Sequence, residues 1–235
     1  MEQNNYHEEI MKKNILRLRE YCKDLPDFCN EFFLGTRQTI SSRTQLAYAY
    51  DLKIFFEYIQ SVKIKYNAIP LPDFPLSILD EINRKDIVRF LEHISLYQKN
   101  GKEHMNEEKS LARKLSTLKS FYRYFYCNEM IQTNPAALVP MPKIHEKEII
   151  RLDINEVAEL LDLVENGDKL TSGEKRYYNK NSLRDLTILT VMLGTGIRVS
   201  ECVGLNKKEM DVEENIFIVR RKGGNESIIY FGEEV

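Results

Sequence analysis

The segment Gly194-Thr195-Gly196-Ile197-Arg198-Val199-Ser200-Glu201 ends one helix at a glycine and opens another with an arginine in its first turn. A cation there faces the positive end of the helix dipole, which costs a few tenths to about 1 kcal/mol unless something anionic compensates. Glu201, one turn on, is an internal partner and is itself well placed for the dipole. Two readings follow from these residues. One is an Arg–Glu pair that orders a tight corner between helices. The other is an arginine held by Glu201 and aimed at a phosphate, with charge-assisted bonds to two phosphoryl oxygens.

Downstream of this corner the period changes. Ile216 and Ile218 alternate with Phe217 and Val219, Gly223-Gly224-Asn225 supplies a turn, and Ile228-Ile229-Tyr230-Phe231 follows, which predicts a β-hairpin. Upstream, Ser182 with Asp185 predicts the start of a helix whose core side runs through Leu186, Leu189 and Met192 to Gly194. Residues 166–181 are polar with two glycines and read as a loop. Before them Asp153 caps a helix, with Glu156 at the capping-box position and Val157, Leu160, Leu161 and Val164 on one face. Asn134-Pro135, Pro140 and Pro142 mark residues 135–150 as a linker between domains.

The part before the linker is helical by apolar spacing. Over 42–60, Tyr48, Leu52, Phe55, Phe56 and Ile59 share a face, and the hydroxyls of 39–42 supply an N-cap. Three prolines within 66–80 exclude a regular helix. A second helix starts near Asn83, uses Asp86 as capping partner, buries Ile87, Phe90, Leu91 and Ile94, and ends at Lys99-Asn100-Gly101. The third, over 108–126, sets Leu111, Leu115, Leu118, Tyr122 and Phe125 against an opposite face of Lys109, Arg113, Ser116, Ser120 and Arg123, with Lys119 at its edge. No acid falls between Lys109 and Arg123, although the chain has a net charge of −2. Such a face is either solvated or laid against nucleic-acid phosphates, and the placement of cations matters more than their sum.

Composition excludes several classes. The 235 residues are 43% hydrophobic and 30% charged, ordinary for a folded soluble protein, and no apolar run is long enough for a membrane span. The N-terminus is polar and acidic, unlike a secretory signal. Cys22, Cys29, Cys127 and Cys202 show neither pairing nor zinc-ligand spacing, so no metal or other cofactor is expected and the location reads as cytoplasmic.

Four stretches, in order, resemble the tyrosine recombinases, the Xer and phage-integrase group. TGIRVSECVGL (195–205) is similar to that family's first-arginine box, and IVRRKGGNESIIYF (218–231) to its catalytic-lysine hairpin. SSRTQLAYAYDLKIFFEYI (41–59) and KLSTLKSFYRYFYCNEMIQTNPA (114–136) resemble the first and last helices of its core-binding domain. LPDFCNEFF (25–33) is similar to the leader of Xer-like recombinases of low-GC Gram-positive bacteria.

The resemblance implies a mainly α protein: a helical leader over 1–35, a SAM-like core-binding domain that clamps DNA over 36–134, the linker, and over 151–235 the first part of a mixed α+β catalytic domain with a small β-hairpin or sheet. It implies that Arg198 binds the scissile phosphate, that Glu201 supports Arg198, and that Lys222 protonates the 5′-oxygen leaving group. Lys109, Arg113, Ser116, Lys119, Ser120, Arg123 and Thr44 would lie against double-stranded DNA. Arg221 stands where a small residue is usual, and Asn225 and Ser227 where basic residues often occur, which puts Arg221 in competition with Lys222 for the phosphate. The family's His-x-x-Arg box and tyrosine nucleophile have no counterpart: His7, His93, His104 and His145 all precede Arg198, and Tyr230 falls within a hairpin strand. The expectation is therefore a site-specific recombinase that works in complete form as a homotetramer on DNA through a 3′-phosphotyrosine. These 235 residues alone would be a truncated, monomeric and non-cleaving form, in effect a DNA-binding module.

Overall fold

A computed structural model describes residues 6–99, 102–146, 148–221 and 224–232. The chain divides into two compact units, Glu9–Lys147 and Glu148–Val235, with the residues up to Glu8 grouped with the second.

The first unit is built from helices α1 (Tyr6–Cys22), α2 (Phe28–Gly35), α3 (Ser42–Val62), the single turn α4 (Ile78–Glu81), α5 (Arg84–Ser95) and α6 (Glu108–Cys127), with a hairpin of β1 (Leu96–Lys99) and β2 (Lys102–Met105) between α5 and α6. Ser41 caps α3 by accepting from the Thr44 amide, and Asn83 with Asp86 forms a reciprocal capping box on α5. The apolar stripe of α6 (Leu115, Leu118, Phe121, Tyr122, Phe125) is fully buried against Phe55 and Phe56 of α3 and Phe90 of α5. Phe121 lies at its centre, with ring centroids 5.1 Å from Phe32, 6.0 Å from Phe56 and 5.0 Å from Phe125, all inclined steeply to it. Edge-to-face pairs of this kind each add about 1 kcal/mol beyond burial.

Several boundaries differ from the sequence reading. Residues 9–35 are no separate leader: Leu18, Leu25, Cys29, Phe32 and Phe33 belong to this same core. The expected linker begins inside the unit, where Pro135, Ala136 and Val139 are buried and the Arg84 Nε donates to the Leu138 carbonyl at 3.1 Å. Helix α5 ends at Ser95 rather than at Lys99-Asn100-Gly101, of which Asn100 and Gly101 fall outside the described residues. Its last carbonyls are taken by Asn106, whose side chain donates to Ile94 O at 2.6 Å and whose amide donates to Ser95 O at 3.0 Å. With those acceptors satisfied, the chain turns into the β1–β2 hairpin, Leu96 opposite Met105.

The second unit holds α7 (Ile154–Asn166), α8 (Ser172–Thr195), α9 (Val199–Val203) and an antiparallel sheet in the order β3 (Met210–Asp211), β4 (Ile216–Arg220), β5 (Glu226–Tyr230). The sheet contains the expected hairpin, with Ile216 opposite Tyr230 and Arg220 opposite Glu226, and adds β3 on its other side. Phe217 and Val219 point into a small core with Val191 and Ile197.

Most of 166–181 is helix, not loop. Gly167 stops α7 at φ +66°, and Thr171 and Glu174 cap α8 reciprocally, ten residues ahead of the start expected at Ser182. Tyr178 closes the corner: its hydroxyl donates to the Glu165 carbonyl, and a Cβ at position 167 would come within 2.7 Å of its ring. This half of α8 is exposed and lacks apolar periodicity, while the T-x-x-E cap was present to be read. Helix α8 also passes Gly194 and ends at Gly196, again at φ +66°, whose amide bonds to Met192 O at 2.9 Å.

Candidate functional site

The left-handed turn at Gly196 buries Ile197 and presents Arg198 as the residue just ahead of α9. Glu201, on α9, is 3% exposed at its side chain, and three donors reach its carboxylate. Arg198 gives two, its amide to Oε2 at 2.9 Å and its Nη1 to Oε1 at 3.0 Å. The third is Arg221 Nη1, at 3.4 Å from Oε2. The hydrogen bond from the Arg198 amide, then that from its guanidinium, then the charge of Arg221, hold the Glu201 carboxyl below its ordinary range against the opposing effect of burial. The Arg198 side chain remains 68% exposed, so most of its N–H fork faces outward.

Arg221 follows β4 directly and is fixed by the turn, its amide donating to Asn225 O at 2.7 Å. Lys222, expected at this hairpin tip, lies outside the described residues. Arg220 is engaged elsewhere, with Glu226 at 3.2 Å and Glu209 at 3.4 Å. Tyr230 is exposed on β5, within the sheet.

In the first unit, Lys109, Ser116 and Arg123 are exposed along α6 and Lys119 and Ser120 are half-buried. Lys109, Lys119 and Arg123 carry no ion pair among the described residues. Arg113 does: it forks onto Asp51 of α3, with Nη2 2.7 Å from Oδ1 and Nη1 on Oδ2, and its side chain stays 47% exposed. Asp51 is 2% exposed and also accepts from Thr117 Oγ1 at 2.8 Å. Lys114, 8% exposed, sits with its Nζ 3.8 Å from Asp51 and donates to Ser110 Oγ at 3.3 Å; burial lowers its pKa, partly offset by Asp51. Thr44 is half-buried, its hydroxyl 2.9 Å from Ser41 Oγ at the start of α3. The sequence reading missed Asp51, Lys114 and Thr117, because Asp51 meets α6 across 62 residues; an acid beside the apolar face of α3 was the available sign.

Among the described residues no group of three or more His, Cys, Asp or Glu side chains could hold a metal ion, and no helix is long and apolar enough to cross a membrane. The four cysteines are free thiols.

Family models match both units. That of the phage integrase family matches residues 151–235, and that of the phage integrase N-terminal SAM-like domain matches 30–128. The chain belongs to the tyrosine recombinase (phage integrase) family. Its relatives are Xer-like. It is 29% identical over 221 residues to the tyrosine recombinase XerC of Caldanaerobacter subterraneus, covering 91% of the chain and 56% of that protein. It is 31% identical to XerC of Thermodesulfovibrio yellowstonii (83% and 53%) and 28% identical to XerS of Streptococcus mutans (92% and 65%). The chain thus spans a little over half to two thirds of the length of these curated relatives. Among solved structures, the Tn1549 transposon integrase in complex with circular intermediate DNA shares the fold, with a TM-score of 0.52 and 21% identity over 88% of this chain and 61% of that one. Within this tyrosine recombinase chain, Arg198 and Glu201 lie in the segment matched by the integrase model, and the basic face of α6 in the segment matched by the SAM-like model.

Proposed function

We propose that this chain supplies the DNA-clamping helices and the phosphate-binding part of the active site of a site-specific recombinase, which in complete form cuts and rejoins DNA through a 3′-phosphotyrosine. The observation that carries the reading is Arg198, held at two points by a buried Glu201 with the rest of its fork exposed. Strand transfer at phosphorus needs a fixed cation on the non-bridging oxygens, where charge builds up as the nucleophile adds and the 5′-oxygen leaves. Arg198 meets that need, and Lys222 beside Arg221 would deliver the proton to the departing 5′-oxygen. No step calls on a metal. Lys109, Arg113, Ser116, Lys119, Ser120 and Arg123 of α6, with Thr44 of α3, would face double-stranded DNA. The full-length recombinase would act in the cytoplasm as a homotetramer on its DNA; these 235 residues by themselves would be monomeric.

A second reading, that these residues act as a non-catalytic DNA-binding module, is favoured by one observation: the sequence has no His-x-x-Arg, and Tyr230, the one tyrosine after Arg198, is held in β5. Two measurements test both. Duplex binding should weaken steeply as salt rises, and affinity indifferent to salt would remove the phosphate contacts from the account. With a nicked suicide substrate the chain should give no covalent adduct; an adduct on Tyr230 would show that the module reading is wrong.

A further inference from the structure

Glu201 receives two guanidinium groups, and only one of them is needed to neutralise it. Arg198 already donates its amide and Nη1 to the two carboxylate oxygens, at 2.9 and 3.0 Å. Arg221 adds a third donor at 3.4 Å, near the long limit for a hydrogen bond, to an oxygen that is already occupied. Two arginines against one carboxylate leave a net charge of +1 at the corner formed by Gly196, α9 and the end of β4. Two guanidinium groups on one carboxylate repel each other, a cost that an anion bridging their outer N–H edges would remove. Neither group is buried: the side chains are 68% and 36% exposed, so the unused donors of both remain open to solvent. Nor is Arg221 loosely placed, since its amide bonds to Asn225 O at 2.7 Å and its carbonyl accepts from Gly224 at 3.1 Å.

We propose that Arg221 is a second phosphate-binding residue of this site, acting with Arg198 on one backbone phosphate of DNA while Glu201 spaces and orients the two guanidinium groups. Arg221 then does not displace Lys222. It occupies the non-bridging oxygens beside Arg198 and leaves the bridging 5′-oxygen to the lysine. The assignment rests on the DNA-binding reading given above.

The test is the affinity of the 235-residue chain for a random-sequence duplex of about three helical turns, measured by fluorescence anisotropy across a salt series for wild type, Arg221→Ala, Arg198→Ala and the double variant. Arg221→Ala should weaken binding roughly fivefold near 0.1 M salt and lower the slope of log K against log salt by up to about 1, uniformly across sequences. The double variant should fall short of the product of the single losses, because both arginines act on one phosphate. Arg221→Lys keeps the charge without the fork, so it should keep most of the slope and lose part of the affinity. If Arg221→Ala does not fold, Arg221→Gln takes its place. A wild-type affinity and slope in the folded variant means that Arg221 only pairs with Glu201, and the proposal fails while the DNA-binding reading stands. Absence of salt-dependent binding by wild type would overturn both. Losses that multiply fully would place Arg221 on a different phosphate and overturn the shared clamp.

Discussion

Asp51 and Glu201 are buried carboxylates that each pair with arginine, and their surroundings give them different work. Asp51 lies among helices, with Thr117, Arg113 and Lys114 around it, so removing its charge leaves a buried lysine uncompensated. Glu201 sits beneath two arginines that remain partly in solvent, so its role is to aim them. Its hydrogen bonds from Arg198 place its carboxyl below the ordinary 4.5. A carboxyl depressed on folding contributes stability that is present above the unfolded value and lost as the pH falls through the folded one. Glu201→Gln keeps the shape and abolishes that titration. The melting-temperature difference between wild type and Glu201→Gln should therefore be full at pH 6 to 7 and shrink below about pH 4.5. A difference constant down to pH 3 would mean that the carboxylate charge contributes nothing to the corner.

At the scale of elements, α6 carries both a core face and a basic face, and the two meet at Arg113. Arg123 is exposed and carries no ion pair among the described residues, whereas both terminal nitrogens of Arg113 bond to Asp51. Replacing either with Ala should weaken DNA binding across sequences, but only Arg113→Ala should also lower stability, by roughly 1–3 kcal/mol because Asp51 loses its principal partner. Equal melting curves for the two variants, read beside their DNA affinities, would show that the Asp51 pair does not hold α3 to α6. The apolar stripes of α3, α5 and α6 were legible in the sequence because each helix buries one side, and the Arg198–Glu201 pair was legible because its members are one turn apart. Nonlocal or solvent-facing features were not. The Asp51–Arg113 fork joins residues 62 apart, and Arg221 reaches Glu201 across 20. The sequences of β1 (Leu96-Tyr97-Gln98-Lys99) and β2 (Lys102-Glu103-His104-Met105) carry no apolar alternation, and the first half of α8 has no apolar side, so only its cap announced it.

Across the whole molecule the two units differ in how much apolar surface they bury. The first has a continuous core from Leu18 to Val139, packed with aromatic rings; in the second the buried apolar residues among those described are Val191, Ile197, Phe217 and Val219. Helix α7 buries none of its residues fully and α8 buries only Val191, while Ile154, Leu183 and Leu193 remain exposed. Hydrophobic burial is the main term opposing chain entropy, at about 25 cal/mol per Å² of apolar surface, so units with such unequal cores should not unfold as one. Opening free energies sort by cooperative unit, and amide exchange reads them directly. For this 235-residue chain, amides of α3 and α6 should exchange through global opening of the first unit, the slowest in the molecule. Those of α7 and α8 should exchange orders of magnitude faster, each 1.4 kcal/mol of stability difference giving about a factor of ten. Thermal melts should resolve two transitions, and a protease should cut after residue 140 to leave a resistant fragment carrying α2–α6. Uniform protection of α3, α6, α7 and α8 with a single transition would instead make the small core of the second unit an integral part of one cooperative structure, and Arg198 would then be held as rigidly as the helices of the first unit.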